Sequence, residues 1–393
     1  MANPQRILTL NQISSKGLSR FPAEYTVGPE ASEPDAVLVR SHNMHEMEIP
    51  TSVKAIGRAG AGTNNIPVKL MSARGVPVFN APGANANAVK ELVVAGMLMA
   101  ARNLIPAVAF VDSLTGDDAA IHKHVESGKK RFAGIELPNR TLGIVGLGAI
   151  GSLVAEAAIR LGMNVLGYDP EITVEAAWRL PSQARRAATI DEVMKNSDFI
   201  TLHVPLLDVT RDLVNAERVA LMRQGTILLN FAREGIVNEE AVLAGLASGK
   251  LKSYVCDFPS RRLAGQAGVV ALPHLGASTQ EAEENCAVMV VDQVTDYLEH
   301  GNILHSVNFP NITMARESPF RVAIANANVP NMVGQISTAM ARAGLNISNM
   351  VNKSKGEMAY TLVDTDSPIT PNVIEAIRAV PGVLMVRSLP RGA

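Results

Sequence analysis

Residues 143–151 read GIVGLGAIG, a short apolar run followed by three glycines in the spacing G-x-G-x-x-G. The run 141–145 is typical of a buried strand, and the apolar residues after Gly148 are typical of a helix. In that context Gly146 permits a tight turn, Gly148 lets a phosphate approach the backbone, and Gly151 lets the helix pack on the strand. A helix N-terminus also offers free N–H groups to a pyrophosphate. The stretch therefore predicts a dinucleotide-binding turn rather than a glycine-rich turn without a ligand.

An acidic residue follows the next predicted strand, 164–168. Asp169 lies 18 residues after Gly151, where a carboxylate accepts hydrogen bonds from an adenosine ribose and repels a 2′-phosphate. Because no arginine follows immediately, we expect NAD rather than NADP as the cofactor. The alternative role for Asp169 is a turn residue or a helix N-cap before Pro170.

Strands and helices alternate regularly outward from this turn. Predicted strands lie at 141–145, 164–168, 198–203, 226–231, 253–257 and 269–272. Helical segments lie between them, and this repeat predicts a parallel sheet covered on both faces. A less regular α/β layer precedes it, with strands predicted at 36–39, 53–56 and 76–79 and a buried helix at 87–103.

The composition shifts near residues 301–318, which we interpret as a linker. The segment after it predicts strand 321–325, helix 332–343, strands 346–352 and 358–364, helix 371–379 and strand 383–388. This β-α-β-β-α-β order is that of a ferredoxin-like unit.

The composition excludes several classes of protein. The chain has 393 residues and a formal net charge of −1, so no basic face for nucleic acid is expected. Its two cysteines are too few for a disulfide framework or a four-cysteine zinc site, and no histidine shows a metal-ligand pattern. No signal peptide or membrane-spanning run is evident. We therefore expect a soluble, cytoplasmic, multidomain protein without a metal site or a membrane partner.

Two candidate catalytic residues follow strands in the second half of the predicted sheet. Arg233 can bind a carboxylate through two hydrogen bonds and polarise an adjacent carbonyl. His274 is suited to remove a hydroxyl proton, because histidine titrates near neutral pH. The alternatives are a solvated loop arginine and a structural histidine. His203, at another strand end, either lines the cofactor site or packs against it.

Together these motifs resemble the D-2-hydroxyacid dehydrogenases, and most closely their D-3-phosphoglycerate dehydrogenase branch. The resemblance rests on the glycine turn with Asp169, HVP at 203–205, NFAR at 230–233 and PHLGAST at 273–279. GRAG at 57–60 and NAPGAN at 80–85 resemble that branch's substrate loops. The C-terminal unit resembles an ACT regulatory domain, with its ligand loops at 326–330 and 344–347.

The resemblance implies an α/β protein of three domains. A flavodoxin-like substrate domain would comprise residues 1–95 with 286–310. A doubly wound Rossmann domain for NAD, residues 96–285, would be inserted into it. A C-terminal ferredoxin-like ACT domain would comprise residues 316–393.

The resemblance also implies a reaction, the oxidation of 3-phosphoglycerate to 3-phosphohydroxypyruvate with NAD, which is the first step of L-serine biosynthesis. Arg233 would hold the substrate carboxylate, and His274 would accept the hydroxyl proton. L-serine would be an effector, and a homodimer or homotetramer is expected.

Binding residues are implied for three ligands. Cofactor contacts are expected from Gly146, Gly148, Ala149, Ile150, Gly151, Asp169, His203, Val204, Pro205, Ala232, Asp257, His274 and Gly276. Substrate contacts are expected from Arg58, Ala59, Gly60, Asn85 and Arg233. Effector contacts are expected from Asn326, Asn328 and Asn346.

The chain departs from the family pattern at the catalytic acid. The family places a glutamate a few residues after the aspartate that corresponds to Asp257, whereas residues 257–262 read DFPSRR. Either another acid replaces it, with Glu234, Glu281 and Glu283 as candidates, or His274 acts without one. Asn331 also stands where the ACT loop usually has glycine.

Two other functions are compatible with these residues. One is a dehydrogenase or reductase for a different small 2-hydroxy or 2-oxo acid. The other is an NAD-sensing binding protein that has lost turnover, which the missing glutamate favours and which the presence of both Arg233 and His274 opposes.

Overall fold

The computed structural model describes residues 4–390. The chain divides into two compact units. The first contains the residues up to Asn85 together with those from Gln280 onward, and the second contains Ala86–Thr279.

The N-terminal part of the first unit is a parallel sheet in the order β2-β1-β3-β4-β5. Its elements are β1 (Arg6–Leu10), α1 (Ser15–Leu18), β2 (Thr26–Gly28), β3 (Ala36–Val39), β4 (Ala55–Arg58), α2 (Val68–Ala73) and β5 (Val78–Phe79). This strand order is that of a flavodoxin-like fold, as predicted. The sequence did not predict β1 and β2.

The second unit is built around a seven-stranded parallel sheet. In chain order its elements are α3 (Ala86–Ala101), α4 (Leu104–Asp112), α5 (Asp118–Gly128), β6 (Thr141–Val145), α6 (Ala149–Arg160), β7 (Asn164–Tyr168), α7 (Val174–Trp178), β8 (Arg185–Arg186), α8 (Ile190–Asn196), β9 (Phe199–Leu202), α9 (Ala216–Leu221), β10 (Thr226–Asn230), α10 (Glu239–Ala247), β11 (Leu251–Cys256) and β12 (Val269–Ala271).

The strand order of this sheet is β12-β11-β10-β9-β6-β7-β8. It reverses direction between β6 and β9, which is the switch point of a doubly wound Rossmann sheet. β10 is buried along its whole length, as expected for a central parallel strand with helices on both faces. The predicted Rossmann fold is therefore confirmed.

The remaining elements return to the first unit: α11 (Gln280–His300), β13 (Phe320–Ala327), α12 (Met332–Arg342), β14 (Ile347–Lys355), β15 (Met358–Thr365), α13 (Pro371–Arg378) and β16 (Val383–Pro390). The last four strands form an antiparallel sheet in the order β14-β15-β13-β16. The predicted ferredoxin-like order is present. Helices α12 and α13 cover one face, and the other face packs into the core around α11.

Two of the predicted domain limits fall within helices, and the division into three domains stays a prediction. The limit expected at 95/96 lies inside α3, and the limit expected at 285/286 lies inside α11. The limits of the two compact units are at 85/86 and 279/280. Each of these helices therefore belongs to a single unit, because a continuous helix packs its apolar face on one core.

The segment predicted as a linker is a packed part of the first unit. Ile303 and Ile312 form an antiparallel bridge, and Phe309 is fully buried. The Asn308 side chain accepts a hydrogen bond from the Val78 N–H at 2.9 Å and donates to the Val76 carbonyl at 3.0 Å. Its asparagines and prolines suggested a loop, but Asn308 satisfies backbone groups beside β5.

Among residues 4–390, no single helix is long and apolar enough to cross a bilayer. The pair α3 and α4, bent by 64° where the two helices meet, passes that test together. Half of α3 is buried inside the second unit, as is usual for a core helix.

Candidate active site

The glycine turn after β6 has the geometry that the sequence predicted. Gly146 has a φ of 93°, and a Cβ atom there would lie 2.4 Å from the carbonyl oxygen of His203. A Cβ atom at Gly151 would lie 2.0 Å from the carbonyl oxygen of Gly146. Gly146 excludes a side chain because its φ is positive and because there is no space for a Cβ atom. Gly151 excludes a side chain because there is no space for a Cβ atom.

Gly148 differs, because a Cβ atom there would meet nothing within 4 Å. Gly148 is the N-cap of α6, which has no side-chain cap, whereas α8, α9 and α10 are capped by Thr189, Asn215 and Asn238. The first N–H groups of α6 consequently remain available to an anion in the open space at Gly148.

Asp169 contacts this turn directly. One carboxylate oxygen accepts a hydrogen bond from the Leu147 N–H at 2.8 Å, and the other accepts from the Glu171 N–H at 2.9 Å. Asp169 is therefore a turn residue and also lies beside the glycine loop. Each oxygen retains a lone pair for a further donor, so a ribose hydroxyl can still bind.

His203 lies just beyond β9 and is fixed by its own strand. Its N–H donates to the Val145 carbonyl at 2.7 Å, and its Nε2 atom lies 3.0 Å from the Thr201 hydroxyl. The residue is partly exposed, but its Nδ1 atom is buried and has no partner among the described residues. Burial lowers the pKa of His203 to about 3, so the ring is neutral at physiological pH.

Arg233 lies on a loop that Asn230 holds in place. The Asn230 side chain accepts from the Ala232 N–H at 3.1 Å and donates to the Arg233 carbonyl at 2.9 Å. The Arg233 guanidinium is exposed and donates to the Ala232 carbonyl at 2.7 Å. Asn230 belongs to the predicted NFAR motif, but the sequence alone gave it no role.

The loop that carries His274 is held by the buried carboxylate of Asp257. The two carboxylate oxygens accept from the N–H groups of Leu275 and Gly276, each at 2.7 Å. A Cβ atom at Gly276 would lie 3.1 Å from the same carboxylate. His274 itself has a φ of 56°, an uncommon conformation for a residue with a side chain. Asp257 therefore fixes the backbone on the C-terminal side of His274.

The neighbour of the His274 ring is an aromatic residue. Phe258 packs edge-on against it, with ring centroids 5.1 Å apart. Within residues 4–390 no carboxylate is hydrogen-bonded to the His274 ring. Of the arginines that replace the family's acid, Arg262 pairs with Glu240 at 2.7 Å. The sequence did not predict the role of Phe258.

The candidate substitute acids differ in their surroundings. Glu283 forms an ion pair with Arg40 inside the first unit, so its carboxylate is already engaged by a cation. Glu234 and Glu281 are exposed.

The two predicted substrate loops of the first unit are joined to each other. The Ala81 N–H donates to the Gly60 carbonyl at 2.9 Å. Arg58 Nε donates to the Arg40 carbonyl at 3.0 Å, and a Cβ atom at Gly60 would collide with the Arg58 guanidinium. Burial raises the pKa of the nearby Cys286 thiol, while Arg58 and Arg40 act in the opposite direction. Glycine at position 60 therefore leaves the space that the Arg58 guanidinium occupies. Ala59 is buried and Asn85 is partly exposed.

The structure does not bring together the predicted effector residues of the C-terminal ferredoxin-like part, which belongs to the first unit. Asn328 donates to the Gly356 carbonyl at 3.0 Å, at the start of β15, and Asn346 lies beside Asp366 at the other end of that strand. Asn326 is buried and donates to the Ala327 carbonyl. Asn331 has a φ of 65°, which asparagine tolerates better than most residues. It therefore takes the place of the usual glycine.

Comparisons with known proteins agree with this geometry. Residues 94–276 match the model of the D-isomer specific 2-hydroxyacid dehydrogenase NAD-binding domain. A D-3-phosphoglycerate dehydrogenase of Haemophilus influenzae is 32% identical over 364 residues, which are 89% of this chain and 85% of that protein. The chain belongs to the D-2-hydroxyacid dehydrogenase family.

Another relative of this dehydrogenase is a longer protein. The D-3-phosphoglycerate dehydrogenase of Methanocaldococcus jannaschii is 34% identical over 339 residues. The match covers 84% of this chain and 61% of that longer protein.

Solved structures show the same fold. An NAD⁺-bound 3-phosphoglycerate dehydrogenase of Entamoeba histolytica has a TM-score of 0.61 and 25% identity, covering 78% of this chain and 99% of that one. A D-mandelate dehydrogenase of Rhodotorula graminis has a TM-score of 0.66 and 22% identity, covering 80% of this chain and 100% of that one. The predicted family and the fold of the two parallel-sheet domains are confirmed.

Proposed function

We propose that this protein oxidises 3-phosphoglycerate to 3-phosphohydroxypyruvate with NAD, as the first step of L-serine biosynthesis. The observation that carries the proposal is the placement of Arg233, Asp257 and His274 beyond the carboxyl ends of β10, β11 and β12, which are neighbouring strands. Ligands of doubly wound sheets bind at that edge, and the glycine turn after β6 opens on the same edge.

The residues present fit the cofactor. The open space at Gly148 and the uncapped N-terminus of α6 suit a pyrophosphate, and Asp169 suits an adenosine ribose. When bound, NAD accepts the hydride that leaves the substrate carbon.

The proton acceptor and the carboxylate-binding group of the reaction are assigned to residues of this chain. The hydroxyl proton of the substrate passes to the His274 imidazole as the carbon–oxygen double bond forms, and Arg233 holds the neighbouring carboxylate. Asp257 fixes the backbone beside His274 throughout. No metal takes part in this assignment.

Arg58 is assigned to the substrate phosphate. Its guanidinium is partly buried beside Gly60, and a planar cation suits a phosphate. Arg58→Ala should raise KM for 3-phosphoglycerate at least tenfold and leave KM for D-glycerate within twofold. Arg160→Ala, which removes an exposed arginine of α6, should change neither value. Equal effects of Arg58→Ala on both substrates would remove Arg58 from this role.

The deciding experiment measures NADH formation from 3-phosphoglycerate, D-glycerate and D-lactate. The proposal expects kcat/KM to be highest with 3-phosphoglycerate and NAD to be preferred to NADP. A preference for D-lactate or D-glycerate would instead assign another 2-hydroxy acid. NAD binding without turnover on any of the three would identify a non-catalytic NAD-binding protein.

The protein is also assigned as a homo-oligomer that pairs through α4. Leu104, Ile105, Val108 and Val111 lie on one face of this helix and are 44–59% exposed. No residue of α4 is buried, and a continuous apolar face of this kind is typical of an interface. Val108→Glu should halve the mass measured by light scattering, whereas Val174→Glu, at a valine that is 76% exposed on α7, should not. An unchanged mass for Val108→Glu would exclude α4 as the interface.

L-serine is assigned as an effector of the C-terminal ACT-like unit. Because Asn328 and Asn346 lie at opposite ends of β15, one chain alone cannot use both on a small amino acid, and the site needs two chains. Calorimetry with millimolar L-serine should give heat that Asn346→Ala abolishes. Absence of heat with the wild-type protein would show that the ACT-like unit is a structural module.

The free, buried thiols of Cys256 and Cys286 fit a reducing, cytoplasmic location.

A further inference from the structure

An open cavity lies at the surface of the first unit, apart from the residues assigned to catalysis. Its volume is about 560 Å³, within the range of small-molecule sites. One wall comes from Asn80, His305 and Asn311, and the other from Lys353 and Lys355 at the end of β14. The cavity therefore lies between the loop after β5 and the β14–β15 hairpin.

The charged residues in the described lining of the cavity are all positive. Lys353 and Lys355 each contribute an ammonium group, and none of the described residues that line the cavity is an aspartate or a glutamate. His305 and two asparagine side chains add further hydrogen-bond donors. A dianion with several acceptor oxygens matches such a lining, because each ammonium group donates and cannot accept.

The two lysines point to the same side of the sheet because of the strand register. Lys353 pairs with Tyr360 and Lys355 pairs with Met358, and directly opposite residues on neighbouring strands share a face. Tyr360 is buried in the core that contains β5 and α11. Both lysine side chains therefore extend from the face that packs on the rest of the first unit.

Hydrogen bonds hold the two walls in place. Lys355 Nζ donates to the Ser306 carbonyl at 3.0 Å, which connects the hairpin to the opposite wall. The His305 N–H donates to the Asn311 side chain at 2.8 Å, and this bond closes the turn in which His305 has a φ of 56°. The Lys353 ammonium has no hydrogen bond or ion pair within residues 4–390.

We propose that this cavity binds a small phosphate-bearing anion between Lys353 and Lys355. The site is distinct from the one assigned to Arg58 and does not depend on the proposed reaction. Asn80 connects it to the substrate loops, since its side chain donates to the Ala61 carbonyl and its backbone N–H donates to the His305 carbonyl at 3.4 Å. An anion bound here therefore joins the C-terminal hairpin to residues 80–85.

The test is calorimetry of inorganic phosphate with the full chain. The variant carrying Lys353→Gln and Lys355→Gln should bind phosphate at least tenfold more weakly at this site. The matched control Lys69→Gln removes an exposed lysine of α2 and should bind as the wild type does. Arg58→Ala should also retain this site, which separates it from the phosphate subsite of the proposed reaction.

Hydrogen exchange provides a second measurement. Phosphate should slow amide exchange in residues 80–85 and 353–358 of the wild-type protein and of Arg58→Ala. The single variant Lys353→Gln, which removes no bond that the structure shows, should lose this protection. Absence of phosphate binding to the wild type, unchanged binding in the double variant, or protection confined to 57–60 would each overturn the proposal, whatever the protein's activity.

Discussion

The ring of Phe258 lies edge-on against the ring of His274, with the centroids 5.1 Å apart and the planes at 61°. Edge-to-face packing of this kind orients a ring but offers it no hydrogen bond. The family pattern provides a carboxylate for the histidine, and this chain has arginines at 261 and 262 instead. We infer that aromatic packing, together with the Asp257 anchor, positions His274 here.

Phe258→Leu should lower kcat with 3-phosphoglycerate by about two- to twelvefold, because the lost ring contact contributes roughly 0.5–1.5 kcal/mol. KM for NAD should stay within twofold. Steady-state kinetics measures both values, and Phe132→Leu, which removes a ring that packs on Phe110, serves as the control. A wild-type kcat in Phe258→Leu would show that Phe258 does not position His274.

Replacing the candidate acids should have little effect on turnover. Glu234→Gln and Glu281→Gln should each retain at least half of the wild-type kcat, because both side chains are exposed and no carboxylate is hydrogen-bonded to the His274 ring within residues 4–390. Glu283→Gln should lower the free energy of unfolding by at most about 1 kcal/mol, since the Arg40 pair that it removes is partly exposed. Loss of turnover by a factor of 100 in one of these variants would identify that glutamate as the family acid's replacement.

Asp257→Asn should disturb the catalytic loop. An asparagine oxygen can accept from one of the Leu275 and Gly276 N–H groups, but its NH₂ group cannot accept from the other. The unpaired buried donor should lower the free energy of unfolding by about 1–3 kcal/mol, and kcat should fall further than in Phe258→Leu. Urea unfolding and kinetics test this together. Wild-type values in both would contradict the anchoring role.

Asp169→Ala should weaken NAD binding and reduce discrimination against NADP. The variant removes a ribose acceptor and leaves the Leu147 N–H without its partner, with an expected effect of about 1–3 kcal/mol on NAD affinity. Titration of NADH fluorescence measures the affinity, and Asp208→Ala, at an exposed aspartate, is the control. A wild-type protein that already prefers NADP would exclude the assignment.

His203 should make stability depend on pH. Because burial lowers its pKa to about 3 in the folded protein and the unfolded chain binds the proton near pH 6.5, the unfolded state binds more protons between these values. The stability is therefore complete above about pH 6.5 and is lost as the pH falls towards 3.

Between pH 7 and pH 5, the wild type should lose about 2 kcal/mol more than His203→Phe does. Urea unfolding at both values measures the difference. His122→Phe, at an exposed histidine, should behave as the wild type. Equal losses in wild type and His203→Phe would show that His203 is protonated while folded.

Local sequence features predicted most of the second unit. The bounds predicted for β6 and β7 are those of the structure, because alternating buried strands and glycine-stopped helices are encoded by near neighbours in the chain. The conformation of Gly146 and the space at Gly151 follow from the nine residues 143–151, whereas the pairing of β7 with β6 brings Asp169 beside them.

Features that depend on distant packing were not predictable. Asn308 looked like a linker residue, and only the docking of its segment beside β5 shows that it satisfies the Val76 and Val78 backbone groups. Asn328 and Asn346 looked like parts of one ligand site, but the antiparallel register of β13, β14 and β15 places them at opposite ends of a strand. Register is set by pairing across the sheet and not by spacing along the chain.

The sequence by itself determined the dinucleotide-binding turn and most of the order of the strands and helices, and it indicated Arg233 and His274 as candidates, since each is written within a short segment. The tertiary structure alone decided which group lies beside His274, what Asp257 anchors, and that Lys353 and Lys355 share a cavity with His305. Those contacts join residues that are separate in the chain, and their geometry depends on how whole elements pack.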